Sequence, residues 1–283
     1  MKTDEFDSII FDCDGVLIDV TKSYDVTINK TISSYLHGQI SQDVDDMVDG
    51  ESRLSFLLEP KGNVESCFRI TRLRQERYLL DTETGHGPLL LASLERFKLR
   101  SKIEFVLHDW KMVSVIGNCE TSDFSSTLLR LESPWPALQH VDLLAEDPTV
   151  DLPACSYEEY ERLRFSHGLP VIGREFDVGA IPNETDLLGL AVSFDKGCYR
   201  GQELVERIDS RKGGRRLLRR IRSDVTLSPE EDLFSEGKEV GEVLAATSTP
   251  PYIGFASVRS EAQGIENEAG GDVEVFPLNE VIQ

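Results

Sequence analysis

The chain has 283 residues, 40% of them hydrophobic, and carries 30 lysines and arginines against 51 aspartates and glutamates, a formal net charge of −21. This supports a buried core in one large domain or two to three small ones, and the acidity opposes non-specific nucleic-acid binding, so direct RNA binding is not expected. Five cysteines, Cys13, Cys67, Cys119, Cys155 and Cys198, are odd in number and include no C-x-x-C pair. That usage fits a reducing compartment and argues against a disulfide framework or a zinc site of adjacent thiols. No apolar run has the length to span a bilayer, and the acidic start lacks a signal-peptide pattern, which places the chain in the cytoplasm without a membrane partner.

In chain order, residues 6 to 20, FDSIIFDCDGVLIDV, read as a buried strand, SIIF, running into an acidic turn, with a helix from about Ser23 to Tyr35. The D-x-D-G-V pattern resembles motif one of haloacid dehalogenase-like phosphatases. The resemblance implies Asp12 as nucleophile, Asp14 as general acid/base and Mg²⁺ between them. That chemistry also needs a hydroxyl, a lysine and further acids on later strands of a parallel sheet. Residues 113 to 118 place Gly117 where the hydroxyl belongs, so the alternative reading of Asp12 and Asp14 is a solvated acidic turn.

Residues 51 to 73 read as two strands around a turn at Pro60, Lys61 and Gly62. Residues 87 to 99 read as an amphipathic helix with Leu90, Leu91, Leu94 and Phe97 on one face. KIEFVLHDW and KMVSVIG read as further strands. Ser156 with Glu159 three residues on is a capping box for a helix that Gly168 stops. Residues 186 to 194, DLLGLAVSF, contain an expected strand. The last 70 residues, short apolar runs between Gly, Pro and Asp, fit a small β-barrel. Residues 211 to 222 hold seven of the 30 basic residues. They suit an anionic partner, or else arginines pairing with acids elsewhere in the chain. The five histidines show no metal-ligand spacing, and no metal is expected. Trp110 and Trp135 are candidates to stack on a flat ring or to pack in the core.

The densest chemistry lies in KGCYRGQE, Lys196, Gly197, Cys198, Tyr199, Arg200, Gly201, Gln202 and Glu203. Gly201 marks the start of a short helix whose first turn holds Glu203. Cys198 precedes it with Lys196 and Arg200 on either side, an arrangement that favours a thiolate. The other reading is a small residue in a turn.

This octapeptide, with RFSHGLPVIGRE at residues 164 to 175, IPNE at 181 to 184, LHGQISQDV near Tyr35 and residues 241 to 259, resembles the YgfZ-type folate-binding proteins, relatives of the glycine-cleavage aminomethyltransferase. The likeness begins near Tyr35 and leaves about 33 residues uncovered. It implies an α+β aminomethyltransferase-like fold, two ferredoxin-like subdomains around a central channel, plus a C-terminal β-barrel. The implied boundaries are 1–33 for the phosphatase-like fragment, 34–212 for the folate-binding domain and 213–283 for the barrel. It implies tetrahydrofolate or another reduced folate as cofactor, with Arg164, Lys196, Cys198, Tyr199 and Glu203 as folate-binding residues and Cys198 as a candidate reactive thiol. The transferases carry an aspartate pair where this chain has Ser66 and Cys67, with Glu65 adjacent. The resemblance therefore implies an accessory factor for iron–sulfur cluster assembly or repair, linked to tRNA modification, with iron–sulfur enzymes or assembly proteins as partners. A tetrahydrofolate-dependent aminomethyltransferase and a Mg²⁺-dependent phosphatase are the alternatives.

Overall fold

The computed structural model describes residues 9–13, 16–22, 32–98, 101, 103–117, 129–138, 140–210 and 215–279, with the backbone alone over 9–22. The chain opens with strands β1 (Ile9–Cys13) and β2 (Val16–Lys22) and helix α1 (Ile32–Gln39). Strands β3 (Ser52–Leu58), β4 (Val64–Arg74) and β5 (Arg77–Thr82) lead to helix α2 (Gly87–Phe97). Strands β6 (Ile103–His108), β7 (Lys111–Ile116), β8 (Leu129–Glu132) and β9 (His140–Ala145) follow. Then come helix α3 (Tyr157–Ser166), a 3-10 turn (Pro182–Glu184), the one-turn helix α4 (Leu188–Ala191) and helix α5 (Gln202–Asp209). The chain ends in β10 (Arg216–Ser223), β11 (Asp232–Ser235), β12 (Lys238–Ala246), β13 (Tyr252–Arg259), β14 (Ile265–Glu266) and β15 (Asp272–Phe276).

These strands make a five-stranded sheet in the order β3-β4-β5-β2-β6, a four-stranded sheet β1-β7-β9-β8, and a closed barrel β10-β13-β12-β11-β14-β15. The fold is α+β with a C-terminal barrel. Every ladder between these strands is antiparallel. The parallel sheet required by the phosphatase reading is thus absent among the described residues. Asp12 pairs with Val113 at the edge of the four-stranded sheet, and Asp14 lies outside the described residues.

One strand stands where no element was expected, and one expected strand is a helix. The residues after the acidic turn form a second strand, β2, which lies inside the five-stranded sheet and pairs with both β5 and β6. Its β-branched Val16, Ile18, Val20 and Thr21 favour a strand. Residues 23–31 of the expected helix lie outside the described residues, and α1 begins at Ile32. The strand expected in residues 186 to 194 is instead α4, because a short apolar run satisfies either element and local packing decides.

The outer face of the five-stranded sheet is covered by α1 and α2, whose Leu36, Leu90 and Leu94 pack on Phe68, Ile70 and Leu80. Each fully buried leucine is worth about 2 kcal/mol relative to exposure. On the inner face, Arg69 of β4 donates to Asp81 of β5 at 2.9 Å and to Asp142 of β9 at 2.5 Å, and Asp142 also accepts the Ser114 hydroxyl of β7 at 2.5 Å. This buried network joins the two sheets. Burial raises the Asp142 carboxyl, but Arg69, His140 and Ser114 more than reverse that, so it ends below the usual aspartate value. Asp81 goes the other way and is raised, chiefly by burial.

The barrel encloses Ile221, Leu233, Val243, Ala256 and Val258. Its basic strand is occupied internally: Arg216 pairs with Glu239 at 2.8 Å, Arg219 pairs with Asp186, and buried Arg220 donates to the carbonyls of Ser166 and Pro277. Arg211 and Lys212 lie outside the described residues.

Candidate functional site

The signature loop sits where α1, the β3–β4 hairpin and α5 meet. The hairpin turns at Gly62, with φ +96°, and α5 is capped by Gly201, with φ +81°. The two glycines press together: a Cβ on Gly62 would lie 2.8 Å from the Gly201 carbonyl oxygen, and one on Gly201 would lie 2.6 Å from the Glu59 carbonyl oxygen. Both positions therefore need glycine for backbone angle and for space.

Lys196 is buried, and its ammonium donates to the carbonyls of His37, Ile40 and Gln42 at 2.7, 2.8 and 2.8 Å. These bonds use all three of its donors. Burial pushes its pKa down to about 8, against the pull of Asp43 and Asp45. Arg200 donates to the Leu58 carbonyl at 2.5 Å and the Ser93 hydroxyl at 3.1 Å, pairs with Glu65, and lies over the Phe97 ring at 4.5 Å. The two cations that flank Cys198 in sequence thus each hold protein acceptors, and the thiol itself is exposed. Tyr199 packs its ring in the central core, 5.3 Å from the Lys196 ammonium, and its hydroxyl is buried without a hydrogen-bond partner. Burial and then Glu206 push that phenol up to about 12. Gln202 accepts from the Tyr199 N–H at 3.2 Å, and Glu203 is exposed on the first turn of α5.

Arg164 lies on α3, in a different cluster. Its guanidinium donates to Glu161, to Glu175 and to the Leu169 carbonyl, which engages all five N–H groups, and it lies 4.7 Å from the Phe165 ring. It shares with Tyr199 only the apolar core formed around Phe165, Phe255, Tyr199 and Val205. In β4, Glu65 pairs with Arg200, Ser66 is buried with its hydroxyl unpartnered, and Cys67 is partly buried with its thiol pushed up by burial and by Glu83. Glu83, just past β5, is the carboxylate whose charge reaches Cys67. It is itself raised by desolvation, and no local motif marks it in the sequence.

An open space lies elsewhere, between the two sheets: a cleft of about 280 Å³ lined by Leu73, Arg74, Arg77, Leu79, His108, Trp110 and Leu129. Its aromatic wall is the stacked pair His108 and Trp110, with ring centroids 4.5 Å apart at 28°. Arg74 is exposed at the β4–β5 hairpin. Of the two tryptophans, Trp110 borders this cleft, whereas Trp135 packs in the core and donates its indole N–H to the His167 carbonyl at 2.9 Å. None of the signature residues lines the cleft.

With this geometry in view, comparison with known proteins is informative about the fold. A crystal structure of the glycine cleavage system aminomethyltransferase T from Bartonella henselae matches 99% of this chain and 89% of its own, with a TM-score of 0.79 at 16% identity. The fold is that of aminomethyltransferase T. The match takes in nearly the whole chain, β1 and β2 included. In sequence, the chain is 29% identical over 189 residues to an uncharacterized protein of Haemophilus influenzae, and the aligned part spans 65% of this chain and 65% of that relative's length. No family model matches the chain. No described helix is long and apolar enough to cross a membrane.

Proposed function

We propose that this protein binds a reduced folate in the cleft between the two sheets and serves as an accessory factor in iron–sulfur cluster assembly or repair, rather than as an aminomethyltransferase. The observation that supports folate binding is the cleft itself, in a chain with the aminomethyltransferase T fold. Leucines and a stacked His–Trp wall suit a flat aromatic ring, and the Arg74 rim suits the carboxylates of a glutamate tail. The accessory reading is favoured by β4, which offers Ser66 and Cys67 where the resemblance leads one to expect two carboxylates to manage a proton. Within this reading, Lys196, Tyr199, Gly201 and Arg164 act through the scaffold they hold, and the exposed Cys198 and Glu203 are the candidates for contacts with a partner.

Calorimetry with tetrahydrofolate tests the binding. Trp110→Ala should weaken it by about tenfold, close to 1.4 kcal/mol. No heat at ligand concentrations near a millimolar in the folded protein would sink the reading. Tetrahydrofolate-dependent release of ammonia and methylenetetrahydrofolate from an aminomethyl-lipoyl substrate would instead establish the transferase alternative.

A further inference from the structure

We propose that His37, Asp43 and Asp45 form a surface site for a divalent first-row transition cation, set against the base of the signature loop. The inference is independent of folate binding.

His37 lies in the last turn of α1, and the chain then folds back so that the two aspartates meet its ring. The Nδ1 atom of His37 is 3.3 Å from Asp43 Oδ1 and 3.2 Å from Asp45 Oδ2, and the three donor atoms all lie within 4.8 Å of one another. A cation bound at about 2.1 Å separates neighbouring donors by about 3.0 Å in octahedral and about 3.4 Å in tetrahedral geometry. Both measured separations fall in that interval. Among the described residues, this is the sole group of three His, Cys, Asp or Glu donors so arranged.

The histidine supplies a second, separate reason. Its Nδ1 is shielded from solvent and makes no hydrogen bond of acceptable geometry, although two carboxylate oxygens face it. A cation shared by Nδ1 and the two carboxylate oxygens would satisfy all three donor atoms at once. The other ring nitrogen, Nε2, packs on Gly197, where a Cβ would approach it to 3.3 Å, so the ring orientation is fixed by the signature.

The surroundings hold the donors in place. Lys196 clamps the carbonyls of His37, Ile40 and Gln42, the Ser193 N–H donates to the Ser41 carbonyl, and Asp43 Oδ1 accepts the Asp45 N–H at 2.9 Å. Two carboxylates against the single Lys196 ammonium leave a net negative field for a dication. One imidazole nitrogen and two carboxylate oxygens, with no thiolate, suit Zn²⁺, Mn²⁺, Fe²⁺, Co²⁺ or Ni²⁺ better than Ca²⁺ or Mg²⁺. Asp45 is well exposed, with 59% of its side-chain surface accessible, so water can complete the coordination shell.

The test uses the full chain stripped with chelator, titrated with Zn²⁺ by calorimetry and with Co²⁺ by visible absorption. The expected result is one equivalent bound, weakened by at least about tenfold in Asp45→Asn and in His37→Gln. Asp195→Asn, which removes a nearby exposed acid outside the trio, should change affinity by less than about twofold. The exposed position of Asp45 keeps that variant informative if His37→Gln does not fold. Absence of binding below about 1 mM would overturn the proposal. Affinity unchanged in Asp45→Asn, or lowered equally by Asp195→Asn, would do the same, because either shows attraction by the diffuse acidic field alone.

Discussion

Lys196 and Arg164 donate every N–H group they have to protein acceptors, whereas Trp110, Leu79 and Leu129 border an open cleft of about 280 Å³. The first region is dense in functional groups and internally satisfied; the second is mostly apolar and has room. The contrast teaches that a reactive-looking motif can be a structural joint. Glycines in contact, a buried ammonium on three carbonyls and a guanidinium between two glutamates are devices for fixing elements to each other. Open space lies where the polar groups are few.

The strongest way to disturb both regions at once is to remove residues 1–22. β2 bridges β5 and β6, and β6 ends at His108 on the cleft wall. Its loss leaves two unpaired strand edges. Thermal denaturation should show a melting temperature lower by on the order of 10 °C or more, with aggregation. An unchanged melting curve would show that β2 contributes nothing to the five-stranded sheet.

Next in size is Arg164→Met, which should separate the two regions. It leaves Glu161 and Glu175 facing each other without their shared guanidinium, a loss of about 3–5 kcal/mol in chemical denaturation. Folate affinity of the protein that remains folded should stay within about twofold, since Arg164 is not in the cleft wall. A large drop in affinity with little loss of stability would reverse the assignment and make Arg164 a ligand contact.

The Arg69 network lies between the two regions, because Cys67, Arg69, Thr71 and Leu73 alternate onto one face of β4 and Leu73 reaches the cleft. Asp142 has its native pKa below the ordinary value, so its stabilising contribution is complete above that value and is lost as pH falls through the native one. Asp81, raised by burial, titrates in the opposite sense, so the comparison must be made at the single site. Asp142→Asn should flatten the acid limb of the stability profile, by at most roughly 1.4 kcal/mol per pH unit. Equal limbs in the two proteins would show that Asp142 does not carry the acid sensitivity.

Local patterns in the sequence were sufficient for the β3–β4 hairpin, the α2 face of Leu90 and Leu94, and the α3 capping box, because each rests on neighbours a few residues apart. α4 was misread because four apolar residues carry no period. β2 is not marked locally, because Asp19 interrupts its strand formers Val16, Ile18, Val20 and Thr21 directly after an acidic turn. The site residues were harder. The Lys196 acceptors lie more than 150 residues away, and Ser93 reaches Arg200 across 107 residues, so nothing in the octapeptide shows that its cations are occupied. The cleft draws its walls from strands spread between Leu73 and Leu129, with no motif of its own. The trio of His37, Asp43 and Asp45 does leave a trace, H-x5-D-x-D, which spacing among histidines and cysteines alone does not show.

The smallest expected effect is that of Cys198→Ser, and it decides whether the joint also has an exposed working surface. The side chain is solvent-exposed and differs from serine by one atom, so stability should change by less than about 0.5 kcal/mol. Cys198 is not in the cleft wall, so folate affinity should also be unchanged. If the thiol serves a partner, complementation of an iron–sulfur maintenance defect should fail while both biophysical readouts stay level. If complementation also survives, Cys198 is a turn residue and the signature acts through its glycines and its lysine alone. The exposed Phe194, four residues earlier in the same loop, offers a control: Phe194→Ser should reduce complementation without touching the thiol if a partner docks there. Loss in Cys198→Ser with retention in Phe194→Ser would point to chemistry at sulfur rather than to a contact surface.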